Sequence, residues 1–408
     1  MLPVAVEPRL AKLFVVEDKI EAVPFIIQIK GIGSSRDTQN IYTVAIDASW
    51  SMDGAKIFRA KEATIEMLKN MSPDDLVNIY SFNDKVERVI YMSKASSYEA
   101  IADAVASIKL GGGTNIYGLL KQIYRDYIEI KNSSNKKMDS FKLVMVTDGV
   151  PTTGVKDEAK IVEIAKELGE HTSISLIIGV GSDYNEKLLM DIATNTRGIF
   201  EHLSNPSKIY SIFNKIVSRY RELCAKNVKL FIKTLPGSSI YIYNRPAYAG
   251  KGGIEIDVGD IYSNDTIDVV GEVVLPPQKR GLIHIATISA SYIDTENISR
   301  EIPPIPLSLP CLSKPPLEHL DIDERLFKEF SMIKTATLLA RDLYGKPSAE
   351  DIKKIVDELV NATLTIDRRD LYSRTIDIRS QLEQEGLSPE VVKKLVSLIS
   401  KIISGRLE

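Results

Sequence analysis

The feature that most constrains this chain is a set of short apolar runs, each ending at a polar or glycine-bearing turn and followed by a helical stretch. "IYTVAIDA" leads into a helix over 56–70. "DLVNIYSF" and "KVERVIYM" precede "SYEAIADAVASI", and glycines 111–113 precede "IYGLLKQIYRDYIEIK". "FKLVMVTDG", "SISLIIGVG" and "GIFEHL" are each followed by a further helical segment, down to residue 223. The runs are nearly continuous in apolar residues. Strands of a parallel sheet covered by helices on both faces need that pattern, because neither face meets water. Right-handed crossovers then predict a doubly wound, mostly parallel α/β domain over 41–223.

After Cys224 the period changes to two. "NVKLFIKTL", "SSIYIYNR", "GGIEIDVGD", "DTIDVVGEVVLP" and "GLIHIATISASYID" alternate and are separated by Gly, Pro and Asn turns. This predicts an antiparallel β-sandwich over 224–312. "EAVPFIIQIKG" within 1–40 is also strand-like, and we assign it to the same sandwich, which makes the α/β domain an insertion. "PPIPLSLPCLSKPP" (303–316) reads as the close of the sandwich and a stiff linker. From 317 to 408, apolar residues fall at helical spacing and predict a helical C-terminal region.

Composition narrows the function. At 44% hydrophobic and 26% charged residues the chain has the make-up of a globular protein. A net charge of -3 argues against a general nucleic-acid binder. No apolar stretch is long enough to span a membrane. "MLPVAVEPRLAKLF" lacks the basic start and long apolar run of a secretory signal, so a cytoplasmic location is expected. Cys224 and Cys311 read as two buried thiols. A single disulfide is the alternative, since both flank the same middle segment. Scarce glutamine beside abundant Ile, Lys and Glu leans towards a thermophile.

Three distant pieces converge if the sheet is doubly wound. "DASWSMDG" (47–54) follows the first strand and offers Asp47, Ser49 and Ser51. "GGGTNIYG" offers Thr114 ahead of a helix, and "VMVTDG" offers Asp148 after a later strand. Open α/β sheets bind ligands outside the carboxyl ends of their strands. Alternation in Asp47-x-Ser49-x-Ser51 lets three oxygens face one point. Carboxylate, hydroxyl and water oxygens suit Mg²⁺ or Mn²⁺ and not zinc, which prefers nitrogen and sulfur. Two carboxylates leave little excess negative charge on a divalent ion, so it would stay electrophilic. Taken alone, the first piece also reads as a polar turn with Ser51 or Asp53 near a helix N-cap.

Asp-x-Ser-x-Ser followed by Met, then a Thr after glycines, then an Asp in "TDG", resembles the von Willebrand factor A domain and its metal-ion-dependent adhesion site. The resemblance covers about 41 to 223. It implies that Ser49, Ser51 and Thr114 contact the metal directly or nearly so. Asp47 and Asp148 would act largely through water, and an acidic residue of a protein partner would complete the shell. Trp50 departs from the pattern, since many relatives carry Gly there. It either narrows access to the metal or serves as a partner-binding anchor. An A domain inserted in a sandwich with helices after it is also similar to the COPII inner-coat proteins. Closer still, it resembles the A-domain proteins of the crenarchaeal archaellum regulatory network. That resemblance implies a forkhead-associated partner and Ser/Thr kinases.

The expected function is therefore a non-enzymatic interaction module. A Mg²⁺- or Mn²⁺-dependent phosphoester hydrolase and a coat-like assembly subunit are the alternatives. The glycine-rich stretch lacks the lysine of a phosphate-binding loop. Ser49 stands where a phosphotransferase would carry a second carboxylate. His171, His202, His284 and His319 have no ligand spacing. In "NATLTIDRRDLYSRTIDIR", Thr363 and Thr375 each have Ile three residues on, and are the phosphorylation candidates for a forkhead-associated reader.

Overall fold

The structure is a computed structural model. It describes residues 3–405 apart from 34–38, 134–138, 182–183, 221, 251–252, 295, 315–320, 344–347 and 367. The chain divides into two compact units: Met1–Ser34 with Cys224–Val391 and Lys401–Glu408, and Ser35–Leu223 with Val392–Ser400.

The first unit opens with strands β1 (Val4–Leu10), β2 (Val15–Val16) and β3 (Glu21–Gly31). The chain then leaves for the second unit. That unit holds β4 (Gln39–Asp47), α1 (Ala55–Leu68), β5 (Leu76–Phe82), β6 (Val86–Lys94), α2 (Tyr98–Ala106) and α3 (Ile116–Ser133). It continues through β7 (Asp139–Thr147), α4 (Glu158–Gly169), β8 (Ile174–Val180), α5 (Glu186–Asn195), β9 (Ile199–Leu203) and α6 (Ile209–Arg219).

The first unit resumes with β10 (Leu223–Thr234), β11 (Ser239–Ile242), β12 (Ala247–Gly250), β13 (Gly253–Tyr262), β14 (Thr266–Leu275), β15 (Gly281–Ile293) and β16 (Ser299–Leu312). Four helices follow: α7 (Glu324–Asp342), α8 (Ala349–Thr365), α9 (Arg369–Glu385) and α10 (Pro389–Ser404).

The α/β sheet has the order β6-β5-β4-β7-β8-β9. β6 pairs antiparallel with β5, and the other pairs are parallel. All seven residues of β8 are buried, whereas edge strand β6 is half-exposed. Continuous apolar sequence thus marks the central strands, as two-sided covering demands. The chain runs from β4 to β5 on one side and returns to β7 on the other. That reversal puts the crevice of an open α/β sheet at the carboxyl ends of β4 and β7.

Two sheets form the sandwich, in the orders β1-β3-β14-β11 and β12-β13-β10-β15-β16-β2. β3 pairs antiparallel with β14 along its length, so the segment before the α/β insertion joins the segment after it. One apolar cluster takes Phe25, Ile27, Ile29, Val269 and Val273 from the first sheet and Leu230, Ile232, Ile288 and Leu309 from the second. Each such side chain contributes about 1.5–3 kcal/mol on burial.

The proline-rich stretch corrects an expectation. Its residues up to Leu312 close the sandwich, as read, but do so as strand β16 paired to β15 and not as a stiff linker. On its other side only Cys311 and Leu312 pair, with β2. A strand open along most of one side tolerates prolines, whose missing N–H costs no ladder bond where it faces outward. A register shift passes Pro303 and Pro304, between the pairs Ile288↔Ile305 and Ala290↔Ile302. The disulfide alternative is also set aside, since Cys224 and Cys311 are buried thiols that are not joined to each other.

Within the second unit, residues 392–400 of α10 pack against the end of the sheet. The Phe200 N–H donates to Ser400 Oγ at 2.9 Å, and Ser397 Oγ donates to Glu201 Oε2 at 3.1 Å.

Candidate functional site

β4 ends at Asp47, which is fully buried. The turn that follows is built by that side chain. Asp47 Oδ1 accepts the Ser49 N–H at 2.9 Å, an Asx-type turn at the strand end. A single 3-10 turn, Trp50–Met52, comes next. The chain then passes through Gly54, at φ 81°, into α1. A side chain there would be strained, so glycine is required on conformational grounds alone. Neither Ser51 nor Asp53 serves as the N-cap of α1, which is Gly54. The cap reading of "DASWSMDG" is therefore not realised, and the Ser51 hydroxyl points elsewhere.

It points to Asp148. Ser51 Oγ donates to Asp148 Oδ1 at 2.8 Å, and Ser49 Oγ lies 3.0 Å from Ser51 Oγ. β4 and β7 run side by side with Ile46 opposite Val146, so Asp47 and Thr147 are register neighbours. Thr147 Oγ1 donates to Asp47 Oδ2 at 2.5 Å and accepts the Gly149 N–H at 3.3 Å. Both Asp47 oxygens are thus engaged inside the protein. Burial pushes the Asp47 carboxyl up to about 6, against the hydrogen bonds from Thr147 and Ser49, and the nearby Asp148 charge adds to the rise.

Thr114 arrives from the loop ahead of α3. Its N–H donates to Thr152 Oγ1 at 2.7 Å, and its carbonyl accepts the Thr152 N–H at 3.0 Å. This clamps the loop to the segment after β7. A Cβ at Gly149 would lie 2.9 Å from Thr114 Oγ1, which shows how closely that hydroxyl approaches the residue after Asp148. Thr114, Ser49 and Asp148 are all buried, at 2%, 2% and 1% exposure. The five expected site residues therefore converge.

Sequence reasoning missed three further groups at the site. Thr147, inside the quoted "VMVTDG", braces Asp47. Thr152 holds the Thr114 loop. Lys56, in the first turn of α1, places its ammonium on Asp148 Oδ2 and 3.2 Å from the Ser51 carbonyl. A cation beside the two acidic strand ends was foreseeable from "MDGAK", since a helix beginning at Gly54 turns its second residue back over its N-terminal end.

Trp50 is 65% exposed, and its N–H donates to the Gly112 carbonyl at 3.4 Å. The phosphorylation candidates fare differently. Thr363 and Thr375 are fully buried. Thr363 Oγ1 bonds the Leu359 and Val360 carbonyls, and Thr375 Oγ1 bonds the Leu371 carbonyl. Each sits on the packed face of its helix, α8 or α9, so the folded chain offers neither to a kinase. The Ile three residues on, which singled them out in sequence, says nothing of burial, and both fall on inward helix positions.

The donor set is two carboxylates and three hydroxyls, all oxygen, which suits a small hard cation. Among the described residues no group of three or more His, Cys, Asp or Glu could hold a metal ion. Also among them, no helix is long and apolar enough to cross a membrane.

Residues 40–215 match the sequence profile of the von Willebrand factor type A domain. This segment is a von Willebrand factor type A domain. Proteins with the A domain are generally non-enzymatic interaction modules, and A domains often bind a divalent metal. The chain is 25% identical over 219 residues to the uncharacterised protein sll0103 of Synechocystis, covering 53% of this chain and 50% of that one. It is 25% identical over 185 residues to inter-alpha-trypsin inhibitor heavy chain H1 of Sus scrofa, covering 42% of this chain and 20% of that one. It thus spans half or less of the length of these relatives.

Among solved structures, the fold is similar to a von Willebrand factor type A protein of Catenulispora acidiphila (TM-score 0.77, 13% identity, 98% and 97% of the two chains). It is also similar to the ArnB paralog VWA2 of Sulfolobus acidocaldarius (TM-score 0.65, 18% identity, 98% of each chain). Human COPII-coat protein Sec24c shares it more distantly (TM-score 0.54, 9% identity, 89% and 58% of the two chains). At these identities the likeness is one of fold, and it includes both of the layouts expected from sequence.

Proposed function

We propose that this protein is a non-enzymatic scaffold whose A domain holds Mg²⁺ (or Mn²⁺) and presents it to an acidic residue of a protein partner. The observation that carries the reading is the meeting of Ser49, Ser51, Thr114 and Asp148 at the carboxyl ends of β4 and β7, with Asp47 behind them. Ser51 and Asp148 are 97 residues apart in sequence yet hydrogen-bonded. Neutral hydroxyls leave an ion electrophilic, and Mg²⁺ keeps several waters that an incoming carboxylate can replace. Asp47, with both oxygens engaged, would hold the turn and its charge in place and not serve as an open ligand. Trp50, exposed beside the site, is the proposed anchor for the partner.

A regulatory role in archaellum expression, with a forkhead-associated partner and Ser/Thr kinases, is the finer form of the proposal. In the folded chain its phosphoacceptor would have to be an exposed hydroxyl such as Thr365, not Thr363 or Thr375. Titration calorimetry with Mg²⁺ tests the metal reading. The native chain should release or absorb heat with a saturable isotherm, and a D47A/S49A variant that stays folded should show none. Equal heats in both would remove the proposed site. Turnover of a generic phosphoester with Mn²⁺, lost in D47A, would favour an enzyme instead.

A further inference from the structure

The Lys56 ammonium lies within the proposed metal site. It is bonded to Asp148 Oδ2 and to the Ser51 carbonyl, two groups of the proposed metal site. The Lys56 side chain is 26% exposed, while the Asp148 side chain it reaches is fully buried. Its stem runs beside the loop after β8. A Cβ at Gly181 would lie 3.2 Å from Lys56 Cε and 3.4 Å from Nζ, and Gly181 itself sits at φ +83°. The lysine stem therefore packs closely on Gly181, while its side chain stays partly open to solvent. Arginine and lysine differ here: a compact ammonium on a flexible stem is easily displaced, whereas a fork is not.

Resting on the metal reading above, we propose that Lys56 is a tethered internal cation that competes with the divalent ion for Asp148. One of the two site carboxylates is already neutralised by it, so an entering ion meets a like charge a few ångströms away and only one free carboxylate charge. Binding of the metal requires Lys56 to swing off Asp148 towards solvent. The displaced ammonium then stands at the mouth of the site, where a partner's carboxylate would arrive. An acidic partner group thus gains a second contact and offsets the repulsion between ammonium and metal. Metal binding and partner binding become coupled through one lysine, and the coupling is reciprocal. In the absence of an acidic partner the site stays weak.

Mn²⁺ binding to the full-length chain, followed by electron paramagnetic resonance of the free ion, tests this. K56M keeps the length of the stem and removes the charge, and should bind Mn²⁺ about tenfold more tightly than the native chain, as removal of one nearby like charge implies. K56R retains the charge and should not tighten binding. Thermal melting in EDTA supplies a second readout. K56M leaves Asp148 buried without its cation, so it should melt lower than the native chain in EDTA and recover more on addition of Mn²⁺. Unchanged or weaker Mn²⁺ affinity in K56M, with the native chain binding, would overturn the competition and make Lys56 a positioning residue for Asp148. If neither chain binds Mn²⁺ at millimolar concentration, the metal reading itself fails, and this inference with it.

Discussion

At the scale of single residues, the site is assembled by register. Asp47 and Thr147 face each other because β4 and β7 pair in parallel with Ile46 opposite Val146, and their hydrogen bond follows from that placement. T147V keeps the shape and removes the hydroxyl. It should cost about 1–3 kcal/mol, the usual result of leaving one buried partner unsatisfied, and chemical denaturation midpoints would report it. A variant as stable as the native chain would mean that Asp47 does not depend on this brace. The five candidate site residues were legible in sequence because each sits at a strand end or before a helix, where chain topology dictates a common edge. The groups that support them were not read there, although the place of Lys56 in the first turn of α1 carried a signal. Thr147 reads as one more β-branched strand residue, and Lys56 as one more charge on a helix. Thr363 and Thr375 show the opposite failure: their spacing to Ile was visible, but that spacing says nothing of burial, and both fall on the buried helix face.

At the scale of elements, β3 and β14 carry a second buried carboxyl. Asp268 on β14 lies opposite Gln28 on β3, whose Nε2 donates to Asp268 Oδ1 at 3.1 Å. Burial, and next the Glu329 charge on α7, push the Asp268 carboxyl up to about 7, while Gln28 and Arg9 pull the other way. A carboxyl raised in the folded state binds its proton more tightly there than in the unfolded chain. Its contribution to stability is therefore full below the ordinary aspartate range and is lost as pH rises from about 4 to about 7. D268N replaces the protonated form by a neutral isostere. Guanidinium midpoints at pH 5 and pH 7.5 should show a smaller fall for D268N than for the native chain, and equal falls would contradict the assignment. The strands and helices themselves were largely readable from periodicity. β16 was read only as the close of the sandwich and not as a strand, because Pro303, Pro304, Pro306 and Pro310 signal a linker and only the open side of the strand makes them acceptable.

At the scale of the whole molecule, the insertion of the α/β segment into the sandwich was legible, since strand-like sequence precedes it and alternating sequence follows it. Residues 392–400 were not, because an amphipathic helix announces a buried face but not what it is buried against. Their tie to β9 spans 200 residues, through the Phe200 N–H and Ser400 Oγ. S400A should leave that amide unpaired, lower stability by about 1–3 kcal/mol and speed hydrogen exchange at Phe200. Unchanged exchange would show that the bond does not hold β9. The central claim, that distant segments fold into one divalent-metal site, is tested most directly by crystals of the chain grown with Mn²⁺ and measured at an anomalous wavelength. A single strong anomalous peak should lie among Ser49 Oγ, Ser51 Oγ and Thr114 Oγ1, with Lys56 turned away from Asp148. No peak there at millimolar Mn²⁺, or a peak only at surface carboxylates, would contradict the account.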